Sequence, residues 1–443
     1  MSAKPYDFVH VSQPANSPDG SFHLDSRMRF IHVADVHLGA HFGRHQASIR
    51  EDLSAASQDT FERSVYLAID EEVHAFLIAG DLFDDDRPKP ETLWFLDTQF
   101  RRLDEHGITV VYAKGNHDPG PGPESIEWSD NVLIVSEVEP RRVKIPGRNG
   151  EPVGYVTSAG HPSANETQNL SDSFRRFDSK LPEVGLLHTQ VHSSLGAADH
   201  HPYAPSELSS LESAGFDYWA LGHVHSYEQL SVRPPVVYPG SLQGLTHKEQ
   251  GLHGALLVDL SNLEDPVVSF KPLATVRWAT ITVTNLEEVS SWNTLRDRIR
   301  EEWASVIESA QDSSTEGWMA RLILRGACPL WSELQKPETR ESLATDLRGD
   351  LEGVLDVKVI AEAGTLYLPL DIEEYRDRKD VLGTALQLSR KIRQGDWTLP
   401  GLDSKQLCGL GPDAIADYVN DLLEGEGVDH EIAARLLGKW DSK

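Results

Sequence analysis

Cysteine, membrane-length apolar segments and positive charge are all scarce in this sequence of 443 residues. The two cysteines, Cys328 and Cys408, cannot build a disulfide framework, and neither lies in a C-x-x-C pair typical of zinc or redox sites. No apolar run approaches the roughly 20 residues that span a membrane, and residues 1–27 lack the apolar segment of a signal peptide. We therefore expect a cytoplasmic protein without membrane contact.

The charge balance limits the kinds of ligand that the chain can attract. Lysines and arginines total 41 against 70 aspartates and glutamates, which gives a net charge of −29. A broad basic face that grips phosphates by counterion release is therefore not expected, and any nucleic acid must be attracted by something other than bulk charge. The content of 39% hydrophobic and 25% charged residues excludes a disordered or fibrous chain.

Strand and helix patterns alternate through the first part of the chain. Apolar runs occupy 28–34, 75–79 and 108–113, and helical patterns occupy 47–73 and 90–106. This alternation predicts an α/β fold with a largely parallel sheet, whose loops lie at the carboxyl ends of the strands. Shorter strands follow after about residue 130 and predict a second, more antiparallel sheet.

The pattern divides the chain into four segments. Residues 1–27 have no periodicity and are interpreted as a disordered leader. We expect a catalytic domain at 28–275, followed by a small α+β domain at 276–365, where strand and helix patterns alternate again. Apolar spacing in 366–443 predicts a helical C-terminal region.

Each predicted strand of the first part is followed by a potential metal ligand. In chain order these ligands are Asp35 and His37, Asp81, Asn116, His188, and His223 with His225. Side chains at neighbouring strand ends converge in one crevice, and seven ligands are about what two divalent ions need, especially if Asp81 bridges them. The distribution of histidines also places the chemistry in the first part of the chain, because 18 of the 19 lie between His10 and His253.

The types of ligand indicate which ions fit. Carboxylate, amide and imidazole groups without a thiolate favour Mn²⁺, with Fe²⁺ or Zn²⁺ as alternatives. Two such ions, roughly 3.5 to 4 Å apart, can clamp the attacking and leaving oxygens of a phosphoryl displacement and lower the pKa of a water between them. The sequence therefore predicts a dimetal hydrolase of phosphoesters.

His117 has a different expected role, because its neighbour Asn116 is already a predicted ligand and adjacent loop side chains seldom point the same way. We expect His117 to face the phosphate, where it would stabilise charge or protonate the leaving oxygen. Asp118 is expected to hold the other ring nitrogen of His117 and thereby to raise its pKa.

The motifs D-x-H, G-D, G-N-H-D, H and G-H-x-H occur here in this order, and in this respect the chain resembles the calcineurin-like metallophosphoesterase superfamily. The resemblance covers about residues 28–260. Segments 30–39, 80–84 with 87–88, and 238–242 are similar to DNA-repair exonucleases of the SbcD and YhaO type. The resemblance implies a four-layer α/β/β/α sandwich, two Mn²⁺ ions and 3′ to 5′ cleavage of DNA phosphodiesters.

Carried over by position, the resemblance also implies roles for individual residues. One metal would be held by Asp35, His37, Asp81 and His225, and the other by Asp81, Asn116, His188 and His223, with His117 as the catalytic histidine. The small domain would correspond to a DNA-capping domain, and the C-terminal helices would dock on an SbcC-like or YhaN-like coiled-coil ATPase. Some relatives have a second histidine three residues after the bridging aspartate, where this chain has Asp84.

Other residues leave alternatives open. His161, His247 and Lys248 lie between or after the ligand motifs and are candidate substrate contacts, the alternative being ordinary loop positions. The predicted helix at 47–73 either pairs with its copy in a twofold homodimer, as in relatives, or only covers the sheet.

Three functional hypotheses follow. The leading one is a dimetal phosphodiesterase that acts on DNA ends as a 3′ to 5′ exonuclease of a repair complex, with metal-bound hydroxide attacking phosphorus. A second keeps the chemistry but acts on nucleotides, cyclic nucleotides or phosphoproteins. A third makes the chain a regulatory subunit of a coiled-coil ATPase.

Overall fold

The structure is a computed structural model that describes residues 28–43, 45–177, 179–194, 202–310, 314–361, 366–394 and 427–437. The expected leader at 1–27 lies outside these residues, as do the parts of the expected C-terminal helices at 395–426 and 438–443. No helix in the described ranges is long and apolar enough to cross a membrane.

The secondary-structure elements are named in chain order. The strands are β1 (Arg29–Val33), β2 (Ala75–Ala79), β3 (Thr109–Ala113), β4 (Val132–Val135), β5 (Arg141–Pro146), β6 (Pro152–Ser158), β7 (Glu183–His188), β8 (Tyr218–Gly222), β9 (Glu228–Val232), β10 (Pro235–Tyr238), β11 (Gly254–Asp259), β12 (Val267–Pro272), β13 (Val276–Val283), β14 (Gly317–Leu324), β15 (Gly326–Ala327), β16 (Val354–Ile360) and β17 (Leu366–Tyr367). The helices are α1 (Ala47–Asp70), α2 (Pro90–Glu105), α3 (Leu208–Ser213), α4 (Trp292–Ala310), α5 (Trp331–Leu334), α6 (Pro337–Asp350), α7 (Ile372–Arg376), α8 (Val381–Arg393) and α9 (Gly427–Leu436). Helices α1 and α2 begin where the sequence predicts, and α1 ends three residues earlier.

The first sheet has the strand order β12-β11-β1-β2-β3-β4. Strands β1 to β4 pair in parallel, whereas β11 and β12 add to the sheet in antiparallel fashion. Strands β2 and β3 are buried along their whole length, as expected for apolar runs covered on both faces. Their parallel direction brings the loops after β1, β2 and β3 to one edge of the sheet.

The second sheet has the order β5-β6-β7-β8-β10-β9. Its central pairs, β6 with β7, β7 with β8 and β8 with β10, are parallel, and only the outer pairs are antiparallel. The prediction of a more antiparallel second sheet is therefore wrong. Short strands resemble those of hairpins in sequence, but here crossover segments, including α3, return the chain so that β7 and β8 end at the same edge.

The two sheets pack face to face in a four-layer α/β/β/α arrangement. Apolar side chains of both sheets form the central core, for example Leu77 and Val111 from the first and Leu186 from the second. Helices α1 and α2 cover the outer face of the first sheet. The outer face of the second sheet is covered by a thinner layer, consisting of α3 and a 3₁₀ turn at Leu170–Ser173.

A third, fully parallel sheet follows in the order β13-β14-β16. Helices α4 and α6 pack against it and share one apolar core with it. On its other face, Trp278 and Met319 pack against Phe42, in the loop before α1, and Ile49, in the first turn of α1. Helices α7, α8 and α9 form a small separate cluster around Leu382 and Leu386.

Candidate metal centre

The predicted ligands converge at the edge where the two large sheets meet. Three groups of side chains in the described residues bring their ligand atoms within 4.8 Å of one another: Asp35, His37 and His225; His37, Asp81 and His117; and Asp35, Asp81 and His188. The groups overlap in Asp35, His37 and Asp81, so they form one cluster rather than three sites. Loops after β1 and β2 supply the carboxylates, and the second sheet supplies His188 and His225.

The backbone at the cluster adopts conformations that are uncommon for residues with a side chain. Asp35, His37 and Asp81 have φ angles of 48° to 50°, and His223 has a φ of 108°. Such left-handed conformations cost about 1–3 kcal/mol each and persist where the surroundings enforce them. Here the Asp81 carbonyl accepts hydrogen bonds from the amides of Val36 and His37, which ties the two ligand loops together.

Two glycines allow the close packing of these loops. Gly80 has a φ of 85°, and a Cβ atom there would collide with the His188 imidazole. A Cβ atom on Gly115 would collide with the carboxylate of Asp81. The G-D and G-N-H-D motifs therefore need glycine for steric reasons at the ligands themselves.

Three imidazoles of the cluster share one arrangement. Their Nδ1 atoms face oxygens: Asp84 Oδ1 at 3.2 Å from His37, the Ala79 carbonyl at 2.8 Å from His188, and Glu249 Oε2 at 3.5 Å from His225. Since these oxygens accept hydrogen bonds, we assign a proton to each Nδ1. The Nε2 atoms are then the ring atoms that could bind a metal ion, and backing of this kind is usual for histidines that bind metals.

The donor set of the cluster fits a divalent cation. Nε2 of His37 is buried, has no hydrogen-bond partner among the residues that the structure describes, and lies 3.8 Å from Asp81 Oδ2. Nε2 of His188 lies 3.4 Å from the same oxygen, and Nε2 of His225 lies 3.8 Å from Asp35 Oδ1. Lone pairs that face buried carboxylates require either protons or metal ions between them.

Burial and neighbouring charges shift the pKa values of the cluster in opposite directions. Burial lowers the pKa of His37, but the hydrogen bond to Asp84 and the charges of Asp81 and Asp35 outweigh burial and raise it to about 9. The pKa of His225 is also raised, because Glu249 and Asp35 outweigh its burial. Burial raises the pKa of Asp81, but the imidazoles around it lower it overall. Metal binding would therefore release protons.

The expected hydrogen bond between Asp118 and His117 is wrong. Asp118 is fully buried, and its carboxylate accepts from the amides of Leu82, Phe83 and Gly115 and from the Tyr112 hydroxyl. Burial and the nearby Asp81 raise the pKa of Asp118. Asp118 therefore links the loops that follow β2 and β3, and its carboxylate oxygens are occupied by these hydrogen bonds.

Asp84 takes the place expected for Asp118. Its main-chain carbonyl lies 3.4 Å and its Oδ1 lies 3.5 Å from Nδ1 of His117, and Oδ1 also contacts His37. The His117 side chain is 45% exposed, its ring centroid lies 4.7 Å from that of His37, and its amide donates to Asp81 Oδ1 at 2.9 Å. His117 is thus an accessible imidazole at the rim of the cluster.

Asn116 and His223 lie beside the three groups. Oδ1 of Asn116 is 2.9 Å from Nε2 of His188. The His223 ring centroid is 5.2 Å from that of His188, and the His223 amide donates to both oxygens of Asp35. Both residues, which the sequence predicts as ligands, therefore lie adjacent to the three groups.

The predicted substrate contacts His161, His247 and Lys248 are not members of the three ligand groups. His161 is fully buried, and its Nε2 lies 2.8 Å from the His188 carbonyl; burial lowers its pKa to about 4. A side chain without solvent exposure cannot touch a bound substrate, so this expectation is contradicted. His247 and Lys248 line a cleft between the loop after β10 and the third sheet, outside the three ligand groups.

Sequence reasoning missed Glu249 and the part played by Asp84. Glu249 supports His225, accepts a hydrogen bond from Ser241 at 2.8 Å, and has its pKa lowered to about 2, since these contacts outweigh burial. The one available signal for Asp84 was its position three residues after Asp81. No spacing links Glu249 to His225, because the contact depends on how the loop after β10 folds back.

Several known proteins are similar to this chain in sequence. The family model described as calcineurin-like phosphoesterase matches residues 28–227. The metallophosphoesterase YhaO of Bacillus subtilis is 31% identical over 309 residues, which are 69% of this chain and 73% of that protein. The DNA double-strand break repair protein Mre11 of Methanopyrus kandleri is 27% identical over 83% of each chain, and Mre11 of Aeropyrum pernix is 30% identical over 67% of this chain and 72% of its own.

The sequence motifs, the two facing sheets and the cluster of candidate ligands at their edge therefore have one common explanation. The chain belongs to the calcineurin-like metallophosphoesterase family.

Proposed function

We propose that this chain is a metal-dependent phosphodiesterase that degrades DNA ends in the 3′ to 5′ direction. The observation that carries the proposal is the set of overlapping ligand groups around Asp35 and Asp81, with the exposed His117 at its rim. Such a cluster suits hydrolysis of a phosphoester. The similarity to proteins named for DNA double-strand break repair favours DNA over other phosphoesters as the substrate.

The proposed ligands of one ion are Asp35, His37, Asp81 and His225, and those of the other are Asp81, Asn116, His188 and His223. When bound, two divalent ions would polarise the phosphate and supply a water that is acidic near neutral pH. Mn²⁺ suits this mixture of carboxylate, amide and imidazole donors, and Fe²⁺ or Zn²⁺ are the alternatives. The chain contributes the fixed orientation of three imidazoles through Asp84, Ala79 and Glu249.

His117 is proposed to act on the substrate directly. Because Nδ1 of His117 faces Asp84, Nε2 is the nitrogen that is available to a phosphate oxygen. From that position His117 would donate a proton to the leaving oxygen. Asp84 is a positioning residue, since it holds the ring without reaching the substrate.

The test is degradation of linear DNA, labelled at its 3′ or 5′ end, by the purified chain with Mn²⁺. We expect His117→Gln to lower the rate about 100-fold or more, as is typical for the loss of a general acid. Asp81→Asn should abolish both activity and Mn²⁺ binding measured by calorimetry. His106→Gln, which changes an exposed histidine at the end of α2, serves as the matched control. Full activity in both site variants would exclude the proposed centre.

A comparison of substrates tests the choice of DNA separately. Rates are measured on DNA, on a cyclic nucleotide, on a phosphopeptide and on bis(p-nitrophenyl) phosphate. Faster turnover of the phosphopeptide or the cyclic nucleotide than of DNA would keep the chemistry but replace the substrate.

We also propose that residues 276–365 cap the substrate and that 366–443 dock on an SbcC-like or YhaN-like coiled-coil ATPase. Val381 and Leu436 support a docking surface there, since they are 73% and 48% exposed on α8 and α9. Removal of residues 373–443 should abolish copurification of such an ATPase. Unchanged copurification would exclude this docking site.

A homodimer through α1 and α2 is proposed as well.

A further inference from the structure

A cleft of about 820 Å³ separates the loop after β10 from the third sheet and helix α6. One wall carries Lys248, which lies next to Glu249 in the loop that supports His225. The opposite wall is formed by β14, β16 and α6. The cleft is therefore connected to the metal cluster through one short loop, but none of the three ligand groups lines it.

The charge of this cleft is opposite to that of the chain. Three arginines and two lysines line it, namely Arg321, Arg340, Arg348, Lys248 and Lys358, against two carboxylates, Asp356 and Glu341. In a chain with a net charge of −29, a local excess of positive charge is unexpected on composition alone. Walls of low dielectric would concentrate its field on a bound anion.

Two of these cations are placed directly beside each other. Arg321 on β14 and Lys358 on β16 are partners in the register of the parallel pair, so both side chains project from the same face of the sheet. Like charges at neighbouring strand positions repel each other. Among the described residues, no carboxylate lies within ion-pairing distance of Arg321 or Lys358. An anion between them would remove the repulsion.

Three other charged side chains of the cleft, Arg340, Arg348 and Asp356, are held by contacts within the protein. Arg340 donates through Nη1 to the carbonyls of Leu334 and Gln335 at 2.7 and 2.8 Å, which holds its guanidinium at the wall. Asp356 is shared between Arg348, at 3.5 Å, and His45, at 3.4 Å. Glu341 is then the one carboxylate of the lining that no described cation pairs with at this distance.

The cleft also has an apolar part that inorganic phosphate would not use. Trp278 and Met319, which are 7% and 3% exposed, line it together with Leu245, and the indole is fixed by a hydrogen bond to the Gly244 carbonyl at 2.8 Å. Cations beside a rigid aromatic ring suit a ligand that has both a phosphate and an organic part, such as a base or sugar.

We propose that this cleft is a second phosphate-ester site, separate from the metal cluster, which holds a nucleotide or the backbone of a nucleic acid strand. The choice of a nucleotide-containing ligand rests on the proposed function, whereas the binding of a phosphate ester rests on the cations alone. The strand and the free nucleotide share this chemistry, and the experiment below separates them.

The experiment measures binding to the full-length chain in EDTA, so that no strand is cleaved. The probes are a fluorescent ten-residue oligothymidylate and thymidine 5′-monophosphate as its competitor. The test variant is Arg321→Gln with Lys358→Gln. The matched control is Arg148→Gln with Arg233→Gln, which removes two exposed arginines from other surfaces and changes the net charge equally.

We expect the cleft variant to bind the oligonucleotide about 10-fold more weakly, with a salt dependence reduced by about one to two charges, and the control to change little. A parallel loss for the monophosphate shows that one phosphate ester occupies the site; a loss for the oligonucleotide alone shows a strand. An equal loss in the control, or no loss in the cleft variant, overturns the proposal.

Two further measurements keep the result interpretable. Thermal unfolding of the cleft variant should not begin earlier than that of the wild type, because a repulsive pair is removed; if it does, Arg340→Gln replaces the double variant. Hydrolysis of bis(p-nitrophenyl) phosphate with Mn²⁺ should be unchanged in the cleft variant. Binding in the cleft without any such hydrolysis by the wild type would reject the proposed function and leave this inference standing.

Discussion

Asp84 contacts two imidazoles, His37 at 3.2 Å and His117 at 3.5 Å, and therefore orients a candidate ligand and the candidate acid together. We expect Asp84→Ala to lower the turnover number about 10- to 100-fold, as is usual when the partner of a metal-binding histidine is lost. Steady-state kinetics and Mn²⁺ titration by calorimetry measure the two effects separately. Asp84→Asn, which can still accept a hydrogen bond, should lose less.

The neighbouring Asp86 provides the control for this experiment, because its side chain is exposed and contacts neither imidazole. Asp86→Ala should behave like the wild type. Equal losses in Asp84→Ala and Asp86→Ala would mean that the acidic loop acts through its charge and not through the orientation of His37 and His117.

His32 makes the stability of the fold dependent on pH. It lies between the sheets, with Nδ1 3.1 Å from the Tyr218 hydroxyl and Nε2 3.1 Å from the Leu221 carbonyl, and burial lowers its pKa from 6.5 to about 3. Below pH 6.5 the unfolded chain binds a proton that the folded chain does not. This contribution to stability is therefore complete above pH 6.5 and is lost as the pH falls towards 3.

Urea unfolding at pH 7.5 and pH 5 measures this effect. The free energy of unfolding of the wild type should fall between pH 7.5 and pH 5. In His32→Gln this fall should be about 2 kcal/mol smaller, because the group that titrates has been removed. His106→Gln, at an exposed position, should keep the slope of the wild type. An unchanged slope in His32→Gln would show that His32 is not buried as a neutral ring.

At the scale of secondary-structure elements, the turn after β2 is the most constrained part of the site. Gly80 and Gly150 have nearly equal φ angles of 85° and 80°, but only at Gly80 would a Cβ atom meet a neighbour, the ring of His188. Gly150→Ala should cost about 1 kcal/mol, as expected for the backbone alone. Gly80→Ala should cost more and should also weaken Mn²⁺ binding.

Urea unfolding and Mn²⁺ titration of both variants measure the difference between these two positions. If Gly80→Ala bound Mn²⁺ as tightly as Gly150→Ala, the close approach of Gly80 to His188 would be irrelevant to the centre.

The arrangement of elements could be predicted where it follows from local patterns. Alternating apolar runs and helical periods locate β1 to β3, α1 and α2, and the elements from β13 to β16, because each pattern depends on residues close in sequence. The approach of Asp35 to Asp81 follows from the parallel direction of β1 and β2, whereas the approach of His188 also depends on how the two sheets pack. The pairing of the second sheet could not be predicted, since short strands do not encode whether their neighbours run parallel.

The contacts between residues of the site were harder to predict than which residues lie there. The sequence places Asp118 next to His117, but in the structure Asp118 accepts from backbone amides and Asp84, from the loop after β2, faces the His117 ring. Adjacent residues point in directions that only the loop conformation decides. The burial of His161 was missed in the same way, because its ring packs against that of His188, a contact between residues far apart in sequence.

At the scale of the whole molecule, the outer helices provide a surface for the proposed homodimer. Tyr66 on α1 and Trp94 on α2 are 47% and 66% exposed, which is unusual for large aromatic side chains. We expect sedimentation equilibrium to show a dimer for the wild type and a monomer for Trp94→Glu, because a buried charge would disrupt the interface.

Val232→Glu is the matched control for this measurement, since Val232 is 68% exposed on β9, an edge strand of the second sheet. A monomeric wild type, or equal dissociation in both variants, would exclude α1 and α2 as the dimer surface.

The cluster takes its side chains from both large sheets. Glu249, which supports His225, lies further along the chain than all of the candidate ligands. A ribosome must therefore release more than half of the polypeptide before any ion could find a complete set of donors, and the two halves of the sandwich must already have closed on each other. Any truncated product that ends before His225 would therefore lack part of the candidate ligand set.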